Sequence, residues 1–262
     1  MMYINHNQKV YNLVLSDSGH MPIQMKENVK NDIVRQGYSL VASRDIFFGE
    51  DLRGSLEDLV VSWDNLELDA YLADGGRYRE RRYGCFLFTP KTKRLKLQND
   101  VAYYQSKDYN PLNGGVARKF APLTQEIVDN NFLIQLIYTH FDQLLLSENL
   151  ASGNFWVGVH QIRTIAKPGE LGKPTPEGVH KDGEMYTVQH FIKMENADGG
   201  TFNIFDNNKK KLADWTQRDT LDTVYICDNL IYHSVSPIVS RDSLNPGIRD
   251  ILLIDYNPIN QF

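Results

Sequence analysis

The sequence predicts a mainly β chain with supporting helices, an α+β arrangement in which a barrel or jelly roll is backed by helices on one side. Three observations lead there. Clear helical spacing is confined to the first 150 residues; from Phe155 onward the texture changes to short runs of valine, isoleucine, threonine and aromatics; and glycine, proline and asparagine punctuate those runs, as they do between antiparallel strands. At 262 residues, with 42% hydrophobic and 23% charged residues, the chain is long enough for a substantial core. It reads as one domain, with 1–150 as helix-rich support and 151–262 as most of the β core.

The first helix is expected over 26–36, where Val29, Ile33 and Val34 recur at helix intervals and Gly37 supplies the stop. A strand follows over 38–42. Ser55, with Asp58 three residues on, reads as a capping pair ahead of the apolar face of Leu56, Leu59 and Val60. The longest helix is expected over 125–150, where Leu133, Leu136, Ile137, Phe141, Leu144 and Leu145 trace a stripe that should pack on the back of a sheet. Strands are then expected over 155–166, 178–182 with 186–193, 200–205, 223–226 and 248–256. Segment 167–178, with Pro168, Gly169, Gly172, Pro174 and Pro176, reads as a long loop suited to a lid.

Composition excludes several functions. A net charge of -5 gives no general attraction to phosphate backbones or anionic membranes, so a small-molecule substrate is expected, with no nucleic acid and no membrane partner. Cys85 and Cys227 are too few for a disulfide framework and sit in no paired metal motif; both read as buried thiols. The apolar run at 10–15 is short and broken by Asn12, and no run approaches the roughly 20 apolar residues of a spanning helix. A cytoplasmic location is expected, and a homo-oligomer is compatible with these features.

The chemistry concentrates in His180-Lys181-Asp182, then His233, then Arg249. In a strand, residues two apart share a face, so His180 and Asp182 can present an imidazole and a carboxylate to one ion while a distant strand supplies His233. Two histidines and one carboxylate on one face of an octahedron leave three positions open, as oxygen-activating non-haem iron(II) requires, whereas zinc prefers a closed tetrahedron. The alternative is local: hydrogen-bonded histidines, with Asp182 in an Asx turn at Gly183. A second copy of the pattern, His140-Phe141-Asp142, measures its specificity. Residues two apart on a helix point about 200° away from each other, so that pair cannot share an ion, and His140 reads as a core histidine. His6, His20, His160 and His190 read as structural.

Arg249 opens Gly-Ile-Arg-Asp-Ile-Leu-Leu-Ile-Asp-Tyr, apolar on both parities and so buried on both faces. A buried arginine needs an anion, either Asp255 or another acid, or the far carboxylate of 2-oxoglutarate held in a bidentate pair. Arg241 is the alternate candidate, in a polar Ser-Arg-Asp-Ser loop that reads as solvated. Arg77, Arg79, Arg81 and Arg82, interleaved with Tyr78 and Tyr83, read as a solvated strand face or ion pairs rather than a nucleic-acid contact. Lys209, Lys210 and Lys211 read as an exposed hairpin tip.

Over 37–256 the sequence resembles the bacterial amino-acid hydroxylases grouped with L-isoleucine 4-dioxygenase, iron and 2-oxoglutarate enzymes on a double-stranded β-helix, a cupin-like jelly roll. The resemblance is carried by Asp-Gly-Gly-Arg-Tyr-Arg at 74–79, His-Gln-Ile-Arg at 160–163 and Pro-Glu-Gly-Val-His-Lys-Asp-Gly at 176–183. It continues in Asn-Ala-Asp-Gly-Gly-Thr at 196–201, His-Ser-Val-Ser-Pro-Ile at 233–238 and Arg-Asp-Ile-Leu at 249–252. It implies Fe(2+) held by His180, Asp182 and His233 as the catalytic centre, 2-oxoglutarate held by Arg249, and oxygen as co-substrate. It further implies hydroxylation of a free L-amino acid with release of succinate and carbon dioxide. Relatives that transfer halide replace the carboxylate by a small residue, so Asp182 argues for hydroxylation. Arg163 is a candidate partner of the substrate's α-carboxylate, against a structural ion pair. Still open are a dioxygenase acting on a modified, peptide-bound or carrier-bound amino acid, a zinc hydrolase using metal-bound water, and a cupin-like metal-binding module without turnover. A demethylase of the same superfamily is disfavoured by the acidic balance.

Overall fold

The computed structural model describes residues 10–12, 23–26 and 28–259; His6 and His20 lie outside them. In chain order β1 (Val10–Asn12), β2 (Ile23–Met25), α1 (Val29–Gln36), β3 (Tyr38–Val41), β4 (Ile46–Phe48) and α2 (Arg53–Val61) lead to a long strand, β5 (Arg79–Thr89). Then come β6 (Arg94–Gln98), β7 (Ala121–Pro122), and the helices α3 (Gln125–Val128), α4 (Asn131–Gln143) and α5 (Glu148–Ala151). The rest is strand: β8 (Phe155–Ala166), β9 (Tyr186–Glu195), β10 (Ala197–Gly199), β11 (Phe202–Phe205), β12 (Lys211–Trp215), β13 (Thr223–Cys227), β14 (Tyr232–Val235), β15 (Ile238–Ser240) and β16 (Gly247–Pro258).

The major sheet runs β1-β6-β5-β8-β16-β9-β13-β3, with β7 beside β5. β12-β11-β14 form a smaller sheet and β10 pairs with β15, completing the two layers of a double-stranded β-helix. Strand alternation gives the major sheet two different faces. Phe155, Val157 and Val159 of β8, Val188 and Ile192 of β9, and Leu252, Ile254 and Tyr256 of β16 join Phe132, Leu133, Leu136, Ile137 and Phe141 of α4 in the main apolar core. Among the intervening residues, Ile162, Thr164, Gln189, Arg249 and Ile251 line a cavity beside the smaller sheet. Tyr38, Phe202, Ile204, Val224, Ile226, Ile231 and Val235 form a second apolar cluster between the sheets, beside a polar cavity.

Departures from the expected elements have local causes. α1 begins at Val29 because Asn28 caps it, accepting from the Asn31 amide at 3.2 Å, and Gly37 ends it at φ 82°. Ser55 lies inside α2, whose start is a 3-10 turn at Glu50–Leu52 rather than a side-chain cap. The helix expected over 125–150 is three, because Asn130 caps α4 through the Leu133 amide at 2.9 Å and Leu144 turns extended. The strand expected over 178–182 is a single bridge between His180 and His233. Segment 167–178 is tied down: Gly172 bridges Ile238, and the Thr175 hydroxyl both donates to the Val235 carbonyl and accepts from its amide.

The largest departure is β5, which lies beside β8 in the half read as helical support. Arg79 and Arg81 point into the cavity, and Tyr83 and Cys85 beneath the segment that carries Tyr103 and Phe120, so the two arginines are buried rather than part of a solvated face, while Arg82 points outward and pairs with Glu67. His140 is a core histidine, bonded to the Tyr225 hydroxyl at 2.6 Å and to His190 at 2.8 Å. Cys85 is buried and Cys227 partly so, and both are free. No helix among the described residues is long and apolar enough to cross a membrane. Leu252, 0% exposed on the helix-facing side, is the test of the sheet–helix core. Leu252→Ala should cost ~2–5 kcal/mol in urea unfolding. Leu230→Ala, at a site 49% exposed, should stay within about 0.5 kcal/mol.

Candidate metal centre

His180 and His233 face each other across two backbone bonds, each amide donating to the other's carbonyl at 3.0 and 2.9 Å. Asp182 follows in a turn pinned by a residue the sequence did not single out. The Asp228 carboxylate accepts from the Asp182 amide at 2.9 Å and the Gly183 amide at 2.8 Å. Gly183 has φ +83°, and a Cβ there would lie 2.6 Å from the Tyr109 ring. The result is a compact donor set. Asp182 Oδ1 lies 3.5 Å from His180 Nε2 and Oδ2 lies 3.4 Å from His233 Nε2, and ligand atoms of all three residues lie within 4.8 Å of one another. His180 Nδ1 meets the Gly178 carbonyl at 2.9 Å, which fixes that proton and leaves Nε2 to bind a metal. The His233 ring stacks on Phe202 at 5.6 Å.

Two imidazole nitrogens and one carboxylate, all from one side, fit iron(II) with open positions. The electrostatics agree. Burial by itself would raise the Asp182 carboxyl, but His233 and His180 hold it well below the usual carboxylate range. Burial also opposes charge on His180, yet Asp182 and Glu177 raise it to about 9. A metal arriving here therefore displaces a proton from His180.

The cluster lines a polar cavity together with Arg249, Gln189 and Phe202. Arg249 lines it from β16, 2% exposed, with its Nη2 donating to Gln217 Oε1 at 3.1 Å and the Phe191 ring 5.9 Å away. Among the described residues no carboxylate is at ion-pair distance from it. Asp255 instead accepts from His160 and from the Gly158 amide. Burial pulls the Arg249 guanidinium down to about 10, which leaves it charged at neutral pH. Gly200, at φ +70°, allows the close approach: a Cβ there would sit 2.8 Å from Arg249 Cδ.

Thus His180, Asp182, His233 and Arg249 share one cavity, and Arg163 does not. Arg163 has the opposite parity to the β8 residues Ile162 and Thr164 that line the cavity, and it is engaged through two 2.8 Å bonds to Asp250. It is a structural ion pair. Arg241 is exposed and pairs with Asp198 at 2.9 Å. Cavity residues not singled out from sequence are Tyr103, Gln105, Arg118 and Glu177, joined by Arg79 and Arg81. The alternating arginines of β5 carried a usable signal in their parity. Gln105 donates to the Asp182 carbonyl at 2.9 Å and so ties the 103–118 segment to the metal centre.

Two outcomes are expected. Asp228→Ala should weaken iron binding by about 10- to 100-fold in chelator competition, with circular dichroism unchanged, because the turn that aims Asp182 is released. Apparent iron affinity should fall about tenfold per pH unit below about pH 9, because the proton on His180 competes with the metal there.

The chain matches the family model of the 2OG-Fe dioxygenases over residues 61–255. It is 28% identical to L-isoleucine-4-hydroxylase of Bacillus thuringiensis over 222 residues, 83% of this chain and 90% of that protein. It is 27% identical to 3(1)-hydroxy-L-isoleucine 4-dioxygenase of Pantoea ananatis over 233 residues, 85% of this chain and 92% of that protein. The crystal structure of a bsmA homologue from Methylobium petroleophilum superposes with a TM-score of 0.78 at 26% identity, covering 91% of this chain and 97% of that one. With a family model spanning most of its length, the chain belongs to the 2OG-Fe dioxygenases, the non-haem iron enzymes that use Fe(II), 2-oxoglutarate and oxygen.

Proposed function

We propose that the protein hydroxylates an unactivated C–H bond of a free L-amino acid, converting 2-oxoglutarate to succinate and carbon dioxide in the same cycle. The observation that carries this reading is the coincidence, in one cavity, of the His180, Asp182 and His233 cluster with Arg249, a buried guanidinium that has no acid at ion-pair distance among the described residues. Relatives named for isoleucine and hydroxy-isoleucine oxidation support the amino-acid class.

In this reading His180, Asp182 and His233 hold the iron, which supplies the oxygen activation that couples decarboxylation to hydroxylation. The chain's own residues position the reactants. Arg249 takes the far carboxylate of 2-oxoglutarate in a bidentate pair, its planar fork steadied by Gln217, in a buried site where such a pair is stronger than in water. Gln105 and Asp228 keep Asp182 aimed at the metal position, and the retained carboxylate leaves no vacancy for a halide. Positioning then selects the carbon that reacts.

Anaerobic addition of 2-oxoglutarate to the Fe(II)-loaded protein should produce a visible charge-transfer band, absent in His180→Ala; no band in wild type would sink the assignment. Arg249→Gln should raise the 2-oxoglutarate requirement by about 10- to 100-fold at unchanged iron affinity. An unchanged requirement would remove that role from Arg249. Across a panel of free L-amino acids, mass spectrometry should find a product heavier by one oxygen atom. An empty panel with uncoupled succinate release would point to a modified, peptide-bound or carrier-bound substrate, and turnover without oxygen and 2-oxoglutarate to a hydrolase.

A further inference from the structure

The cavity holds more positive charge than iron and 2-oxoglutarate binding employ. Arg79 is accounted for by Asp69, which accepts from its Nε at 2.7 Å. Arg81 and Arg118 are not. Arg81 Nη2 lies 2.6 Å from His160 Nδ1, and since a guanidinium only donates, Nδ1 accepts and the ring proton sits on Nε2, donated to Asp255 at 2.9 Å. Burial, helped by Arg81 and Arg118, holds His160 well below its ordinary value, so Arg81 faces a neutral ring. Arg118 Nη2 donates at 2.7 Å to the Gln105 side-chain carbonyl, also neutral. Both side chains are more than nine-tenths buried, both line the cavity, and the Nε of each finds no partner among the described residues.

Both guanidiniums are held still. The Phe120 ring lies 4.3 Å from Arg81 and the Tyr103 ring 4.8 Å from Arg118. Arg81 is also remote from the 2-oxoglutarate anchor: it pairs with Ile162 and Ile162 with Ile251, which sets it two strands from β16 and out of register with Arg249. One carboxylate in the cavity is also incompletely used. Glu177 places Oε1 3.2 Å from His180 Nε2, while its Oε2 is buried without a partner among the described residues. Fixed cations with no carboxylate at ion-pair distance among the described residues, near a carboxylate that has one buried unpartnered oxygen, match a small zwitterion.

We infer that Arg81 and Arg118 form the subsite for the substrate's α-carboxylate and that Glu177 receives its α-ammonium. The cavity then selects α-amino acids by both charged ends. This deepens the reading of the protein as a free amino-acid hydroxylase and rests on it.

The test compares the amino acid oxidised in the panel with its carboxamide and its deaminated acid, each lacking one charge. Wild type should prefer the amino acid over either by about 10- to 100-fold in kcat/KM, the scale of one or two lost charge-assisted hydrogen bonds. Arg118→Gln should erase the preference over the carboxamide through the KM of the amino acid, and Glu177→Gln the preference over the deaminated acid. The KM for 2-oxoglutarate should stay unchanged in Arg118→Gln. Wild type that accepts the carboxamide equally would overturn the subsite, as would Arg118→Gln acting on 2-oxoglutarate instead; the first of these outcomes is read on wild type and needs no variant to fold. If no free amino acid is oxidised, the functional reading fails and the subsite is tested alone. Acetate is then titrated calorimetrically into the anaerobic iron protein saturated with 2-oxoglutarate, which fills the Arg249 site. Binding that is lost in Arg118→Gln supports the carboxylate subsite; binding that persists there, or none in wild type, overturns it.

Discussion

The cavity wall depends on the alternation of side chains along β5, β8, β9 and β16, whose β9–β16 pairing shifts register once, between Asp250 and Ile251. On one face, Phe86, Val157, Val188 and Leu252 meet the helices and supply the apolar burial that holds the sheet. On the other, Arg81, Ile162, Gln189 and Arg249 line the cavity. A slip of one residue in any pairing would exchange the two sets, burying charge against α4 and turning leucine toward the metal position. The apolar face therefore fixes the register of the polar one.

Such a sheet can carry groups that would be costly elsewhere. Buried guanidiniums without carboxylates are unfavourable in the free protein, and the core on the helix side offsets that cost. The same desolvation makes each of them a strong binder once an anion arrives. Arg249 is aimed by Gln217 and Arg118 by Gln105, neutral amides that orient a charge without cancelling it. Where the protein needs a charge neutralised it uses an acid, as in Asp69 on Arg79 and Asp250 on Arg163.

The metal centre follows a related logic. His180 and His233 are brought together by two reciprocal backbone bonds, so their spacing is set by strand geometry rather than by the ligands. Asp182 lies beyond that bridge, in a turn, and Asp228 supplies through two amides the rigidity that the strand does not. Attraction within the donor set keeps Asp182 ionised despite its burial. The three candidate ligands are thereby arranged in advance of any metal, which would limit the reorganisation that binding one requires.

Much of this was legible in the sequence, since the period-two runs after Phe155, the apolar stripe at 133–141, and the order of His180, Asp182, His233 and Arg249 are local patterns that chemistry can interpret. The rule that residues two apart diverge on a helix also set aside His140 and Asp142 correctly. The burial of β5 was hidden because its first residues include arginines at alternate positions, and charge at those positions reads as a solvated strand face unless other structure is known to cover it. Arg163 and Arg249 illustrate the limit. Both lie in paired long strands, both are buried or nearly so, and each could have met an acid or a ligand. The sequence by itself determined the residue types, their periodicity and the chemistry open to them; only the tertiary structure decided which face each strand turned inward, leaving Asp250 opposite Arg163 and no acid opposite Arg249, because partners separated by many residues meet through pairing register alone.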